Sequence, residues 1–360
     1  MRTFRLASTG DFLDVHGRPA YGDNGLSRLL ATSHIRHHFL ARQAPRADDS
    51  SYWERFYSLE VEPDDLVGVD GLITLRPQVK RRAIAAAAAE LAVIGRSGAG
   101  YEKVDVAACT EHDVALFNCP WGLNHATAST ALMFMLVLAK RLMAQERIAR
   151  AGRWDLQAET MGAELQGRTL GIVGLGHSGK ELARLVAPFA MQILAYSPRV
   201  AAAEAETLGV TLTSLEDLLR QSDFVSLHAR YTPEAHHLIG AGQLALMKPT
   251  AYLINIARGG LVDQPALLAT LTERRIAGAG LDVFDREPLP AGDPLVRLDN
   301  VVITPHWSCS TSDVWAATGR AMTEGMSRAA RGEVPENVVN REVLDRPGFR
   351  QKLAHFAQNA

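Results

Sequence analysis

Three residues far apart in the chain, Arg258, Glu287 and His306, are of the types that carbonyl reduction needs. Reducing a 2-oxo acid takes a hydride to carbon, a proton to oxygen and a cation to hold the substrate. His306 is the natural acid/base, because an imidazole titrates at about 6.5, near working pH. Glu287 can accept the other ring N–H, orient the imidazole and raise its pKa by charge proximity. Arg258 can grip carboxylate and carbonyl oxygens with its planar fork, and it stays charged when buried. Taken singly, each has a plainer reading: a surface arginine, a turn residue before Pro288, and a residue at a helix start. All three follow strand-like segments of one region, and that shared placement argues for one site.

A hydride needs a carrier, and residues 169–179 have the form that binds one. An apolar run at 170–173 ends in Gly174, Gly176 and Gly179, spaced Gly-x-Gly-x-x-Gly, and residues 180–189 then read as a helix. The first glycine permits the tight turn, the second lets backbone approach a diphosphate, and the third lets helix and strand pack closely. The diphosphate would sit on helix N-terminal amides, among His177 and Ser178. A second strand at 192–197 arrives at βαβ spacing and ends in Tyr196, Ser197, Pro198 and Arg199. NAD-preferring sites normally carry a carboxylate there, about 20 residues after the glycines. Ser197 is neutral, and Arg199 is the kind of residue that pairs with a 2′-phosphate, so NADP is favoured over NAD. The other reading keeps Arg199 solvated and lets Ser197 accept either cofactor. His228, Ile256 and Asp282, at later strand ends, complete the predicted cofactor contacts, and Arg230 is a candidate second cation.

The elements that must position these residues alternate. Strands are predicted at 67–75, 91–94, 114–117, 224–228, 252–256, 278–283 and 301–304. Helices are predicted at 79–89, 216–221, 241–247, 264–272 and 312–331, giving an α/β protein with parallel sheets. After the strand at 91–94 comes a glycine-rich loop with Ser97, Gly98 and Ala99, whose amides can hold a small carboxylate; a simple turn fits equally. Arg76 and Arg96 would serve a second anionic group or merely solvate the cleft. Residues 126–151 read as one long helix, apolar nearly all round at 131–139, which either a subunit partner or a deep core must cover. Before residue 60 little is legible: an opening strand at 4–7, a turn at 22–25, and His34, His37 and His38, read as a solvated helix end.

Bulk composition narrows the classes. Of 360 residues, 47% are hydrophobic and 22% charged, as in ordinary globular proteins. A formal charge of −2 offers no global attraction for nucleic acid or anionic membrane. The 131–139 run falls far short of the ~20 residues that span a bilayer. Cys109, Cys119 and Cys309 lack metal-ligand spacing, and their odd number does not suggest a disulfide framework. With no apolar leader at the start, the expectation is a cytoplasmic protein without a metal site.

Gly174 to Gly179, the segments 255–263 and 282–289, and Thr304-Pro305-His306 together resemble the signatures of the D-isomer-specific 2-hydroxyacid dehydrogenases. Within that family the resemblance runs to glyoxylate/hydroxypyruvate reductases and to phosphoglycerate dehydrogenases. It implies Arg258, Glu287 and His306 as the catalytic set and a D-2-hydroxy acid product. It implies a Rossmann-type doubly wound domain, 120–305, inserted into a flavodoxin-like α/β domain, 1–119 and 306–345. The closing residues 341–360 are polar and amphipathic and read as a terminal helix, with 346–360 taken as a C-terminal tail. The helix after Asn124 would then make a homodimer. Departures from the family pattern are Ser197 for an acid, Thr127-Ala128-Ser129 for Val-Ala-Glu, Gly100-Tyr101-Glu102 for Gly-x-Asp, Trp307 after the histidine, and Arg230 for proline. Formate dehydrogenases carry glutamine in place of Glu287 and phosphite dehydrogenases a lysine near Ala99, so both are disfavoured. The rival class is a dinucleotide-sensing binding protein of corepressor type on the same fold.

Overall fold

Short apolar runs, most of them buried, become strands, and every strand pairs in parallel with its neighbours, in a computed structural model that describes residues 3–22, 25–32 and 34–357. The chain divides into two units, Met1–Leu123 with Ser310–Ala360, and Asn124–Cys309. In the first, β1 (Phe4–Thr9), β2 (Ile35–Leu40), β3 (Gly71–Thr74), β4 (Val93–Arg96) and β5 (Ala115–Asn118) stand in the order β2-β1-β3-β4-β5. That is the flavodoxin-like order. The helix Ser312–Ala330 lies so close on this sheet that a Cβ on Gly325 would collide with the Phe117 ring.

The second unit holds β6 (Thr169–Val173), β7 (Gln192–Tyr196), β8 (Val210–Leu212), β9 (Phe224–Leu227), β10 (Tyr252–Asn255), β11 (Gly278–Leu281) and β12 (Val301–Ile303). Their order, β12-β11-β10-β9-β6-β7-β8, is the Rossmann order with one added edge strand. Strand order reverses at β6 and β9, so their carboxyl ends form the crevice where ligands of such sheets bind. The helix Asn124–Ala139 crosses this sheet with Phe134 so near β11 that a Cβ on Gly280 would meet its ring at 2.8 Å.

Several expectations need correction. The long helix at 126–151 is two, Asn124–Ala139 and Leu142–Arg150, meeting at 59°. Arg141 between them is left-handed, φ 52°, which interrupts the helical hydrogen bonding. Neither is by itself long and apolar enough to cross a membrane. His34 lies in a turn and His37 and His38 on β2, not at a helix end; along that strand Arg36 and His38 are exposed while His37 and Phe39 are half-buried. The C-terminal tail does carry the expected terminal helix, Pro347–Ala357, whose Phe349, Leu353 and Phe356 join the first unit's core. The chain changes units after Leu123 and Cys309, so His306 belongs with the dinucleotide unit. Asp23 and Asn24 of the expected turn, and 358–360, lie outside the described residues.

Candidate active site

The glycine loop follows β6 directly. Gly174 has φ +98°, and a Cβ there would meet the Ala229 backbone nitrogen at 2.6 Å. Only glycine fits that crossing of β6 over the exit of β9. Gly179 is packed as tightly, and a Cβ there would collide with the Gly174 carbonyl oxygen. Gly176 differs: a Cβ there would meet nothing within 4 Å, so the loop leaves open space on that face. Gly176 caps the helix His177–Val186 with no side-chain hydrogen bond to its first turn. Open space beside uncapped helix amides is what a diphosphate requires.

The next strand ends hold the other predicted cofactor residues. Ser197 is half-buried after β7, while Arg199 is exposed and makes no ion pair or side-chain hydrogen bond among the described residues. At the end of β9, His228 Nδ1 lies 3.0 Å from Ser178 Oγ and its Nε2 3.0 Å from Ser226 Oγ. Burial pushes this imidazole down to about 4, so it is a neutral brace tying the glycine-loop helix to the sheet. Ile256 is buried beyond β10.

Three side chains gather at the ends of β10 to β12. Asn255, 1% exposed, donates from Nδ2 to the Arg258 carbonyl at 2.9 Å and accepts from the Ala257 amide at 3.1 Å. This clip fixes the turn that carries Arg258, whose Nη1 donates to Ala257 O at 2.7 Å. A Cβ on Gly259 would collide with the Phe284 backbone, so this turn is pressed against the loop that carries Glu287. His306 Nδ1 lies 2.7 Å from Glu287 Oε2, and Glu287 Oε1 accepts from the Phe284 amide at 3.1 Å. His306 sits at φ +53°, a conformation that costs a non-glycine residue about 1–2 kcal/mol. Its neighbours over-determine it: buried Asp282 Oδ1 accepts from Thr304 Oγ1 at 2.5 Å, Trp307 N at 3.1 Å and Ser308 N at 3.3 Å. Strain held this way by surrounding bonds is characteristic of functional sites. Arg258, Glu287 and His306 therefore share one unit and one set of strand ends.

Ser97, Gly98 and Ala99 belong to the other unit, after β4. The Cys119 amide donates to Gly98 O at 3.1 Å and Asn118 Nδ2 to Ala99 O at 2.6 Å. The amides of Gly98, Ala99 and Gly100 find no acceptor among the described residues, leaving the loop a row of donors. Arg76 departs from both expectations, for it is buried and paired with Asp11. Among the described residues no three His, Cys, Asp or Glu side chains group to hold a metal.

Residues 132–308 match the family described as D-isomer specific 2-hydroxyacid dehydrogenase, NAD binding domain. Over 326 residues the chain is 37% identical to a glyoxylate reductase of Korarchaeum cryptofilum, covering 86% of this chain and 98% of that protein. The chain belongs to the D-isomer-specific 2-hydroxyacid dehydrogenases. It is also 40% identical to a D-3-phosphoglycerate dehydrogenase of Methanocaldococcus jannaschii, across 70% of this chain but only 48% of that longer protein. A solved structure from Thermus thermophilus superposes with TM-score 0.78 at 30% identity, covering 93% of this chain and all of the other.

Like other D-2-hydroxyacid dehydrogenases, this protein is an NAD(P)-dependent oxidoreductase acting on CH–OH groups, and its two α/β sheets are those of the family. The open face at Gly176 and the uncapped helix fit a nicotinamide dinucleotide. Two positioning residues escaped the sequence reading. Asn255 was legible only as part of a signature, although an Asn two residues before a backbone amide is the usual Asx-turn signal. Ser226 carries no local signal, since its role depends on His228 folding back over the same strand.

Proposed function

We propose that this dehydrogenase works as a reductase of a small 2-oxo acid to the D-2-hydroxy acid, with NADPH preferred to NADH. The observation that carries the reading is the 2.7 Å contact between His306 Nδ1 and Glu287 Oε2. The bound nicotinamide supplies the hydride. With Nδ1 engaged by the carboxylate, Nε2 is the atom through which His306 gives its proton to the substrate oxygen. Glu287 stabilises the protonated ring before transfer and keeps its plane fixed. Arg258, held by the Asn255 clip, grips the carbonyl and carboxylate oxygens. The donor row at 98–100 supports a role for Gly98 and Ala99, with Ser97 beside them, in holding the substrate carboxylate.

The cofactor preference rests on the end of β7, where Ser197 offers no charge to repel a 2′-phosphate and Arg199 has no competing partner among the described residues. Ser178, His228, Ile256 and Asp282 serve that site as braces and walls. A homodimer is supported by apolar side chains left in water on the second unit: Met133, Leu142, Met143, Trp154 at 65% exposure and Met161 at 75%. The near-balanced charge supports a partner list without nucleic acid or membrane, and three free thiols support a reducing, cytoplasmic setting.

His306→Ala should lose about 10²–10⁴-fold in kcat while still binding NADPH. A variant keeping most of its turnover refutes the assignment. Arg199→Ala should collapse the ratio of kcat/KM for NADPH over NADH, and an unchanged ratio would show that this arginine does not read the phosphate.

A further inference from the structure

Arg76 follows β3, and the Ser97 amide donates to Thr74 O of that strand at 2.9 Å. Arg76 therefore leaves the sheet at the same strand ends as the donor loop, the end where ligands of such sheets bind and where a cation could take a second anion. It is not presented as one. Arg76 is 7% exposed and lies 3.5 Å from the carboxylate of Asp11, which is 0% exposed. Its guanidinium packs 4.3 Å from the Phe56 ring centroid, with Tyr21 and Tyr57 at 5.7 and 5.8 Å. Tyr21 is itself stacked on Trp315 at 4.2 Å, which closes that side.

Asp11 is built for this task. It sits in the turn after β1, accepts from Thr9 Oγ1 at 2.6 Å, and accepts from the Arg76 backbone amide at 3.1 Å. Burial pushes its carboxyl up, and the Arg76 charge and these two donors oppose that push. Each of these neighbours can donate, so the carboxylate form satisfies them all. An arginine buried without its acid would be costly, and an acid buried without its arginine equally so; together they are a neutral element.

We infer that Asp11 is a specificity-determining residue: by neutralising Arg76 inside an aromatic cage, it makes the substrate a 2-oxo acid with one anionic group. This rests on the reductase reading above. It separates the chain, in substrate class, from relatives whose name denotes a phosphorylated hydroxy acid. Asp11 acts through Arg76 and is a positioning residue, not a catalytic one.

The test is steady-state turnover of the full-length enzyme with NADPH and four substrates. Glyoxylate and pyruvate carry one anion; 2-oxoglutarate and phosphohydroxypyruvate carry two. Wild type should favour the first pair by about tenfold or more in kcat/KM, the scale of one uncompensated charge. Asp11→Asn keeps the shape and frees the cation, so KM for the second pair should fall about tenfold while kcat for pyruvate stays put. The double variant Asp11→Asn/Arg76→Gln, again a neutral pair, should return to wild-type selectivity, which a merely structural role would not predict. Equal use of both classes by wild type overturns the proposal, as does an Asp11→Asn enzyme with unaltered selectivity. If Asp11→Asn does not fold, loss of doubly anionic substrates in the double variant overturns it, and unchanged selectivity upholds it. No turnover of any 2-oxo acid would sink the reductase reading and this one together.

Discussion

The glycines after β6 offer a sharp discrimination, because their surroundings differ so much. Gly176→Ala places a methyl where nothing lies within 4 Å, at φ −80°, a conformation alanine accepts. Replacing an N-cap glycine costs several tenths of a kcal/mol, and restricting the unfolded chain returns about 0.4–1 kcal/mol, so stability should move by less than about 1 kcal/mol. The same methyl intrudes on the face that receives the diphosphate. Overpacking of that kind costs about 1–3 kcal/mol, or roughly 5- to 150-fold in dissociation constant. Gly174→Ala behaves oppositely. Its φ of +98° is unfavourable for alanine, and the new methyl would meet Ala229 N and Cα at 2.6 and 2.7 Å. Backbone atoms cannot swing aside, so strain of about 1–2 kcal/mol adds to about 1–3 of overpacking. At about 2–4 °C per kcal/mol for a unit of this size, the melting temperature should fall by roughly 4–20 °C. Thermal unfolding gives the stabilities, and NADPH fluorescence titration gives the affinities. A Gly176→Ala protein that bound NADPH like wild type would refute the placement of the diphosphate. An undiminished melting temperature in Gly174→Ala would refute the packing argument.

Other outcomes follow from single contacts. Asn255→Ala removes two bonds from the turn carrying Arg258, and kcat/KM for pyruvate should fall more than about tenfold with NADPH affinity little changed. His228 takes up a proton near 6.5 when unfolded but only at about 4 when folded. Its contribution to stability is therefore complete above pH 6.5 and is lost progressively as pH falls towards 4. His228→Gln should flatten the melting-temperature curve across that window, and an unaltered slope would remove His228 from the account. Met143→Asp should shift the protein towards monomer in light scattering, whereas a wild-type monomer at micromolar concentration would contradict the dimer.

Much of this protein is written locally. The spacing of Gly174, Gly176 and Gly179 between a strand and a helix dictates the dinucleotide turn, because its requirements span only six residues. Buried strands such as β6 and β10 announce themselves as short apolar runs, and their alternation with helices leaves parallel sheets as the outcome. Arg258, Glu287 and His306 were legible because each follows such a run. Short-range patterns carry no information about pairs far apart in the chain. The left-handed break at Arg141 follows Lys140 with no glycine or proline to mark it, and β8 has only three residues. The clamp of Asp282 on 304–308 and the pairing of Asp11 with Arg76 join residues brought together only when strands take their places in a sheet. Arg76 shows the consequence most plainly: by sequence it is an available cation, and burial beside a carboxylate sixty-five residues away makes it a neutral wall.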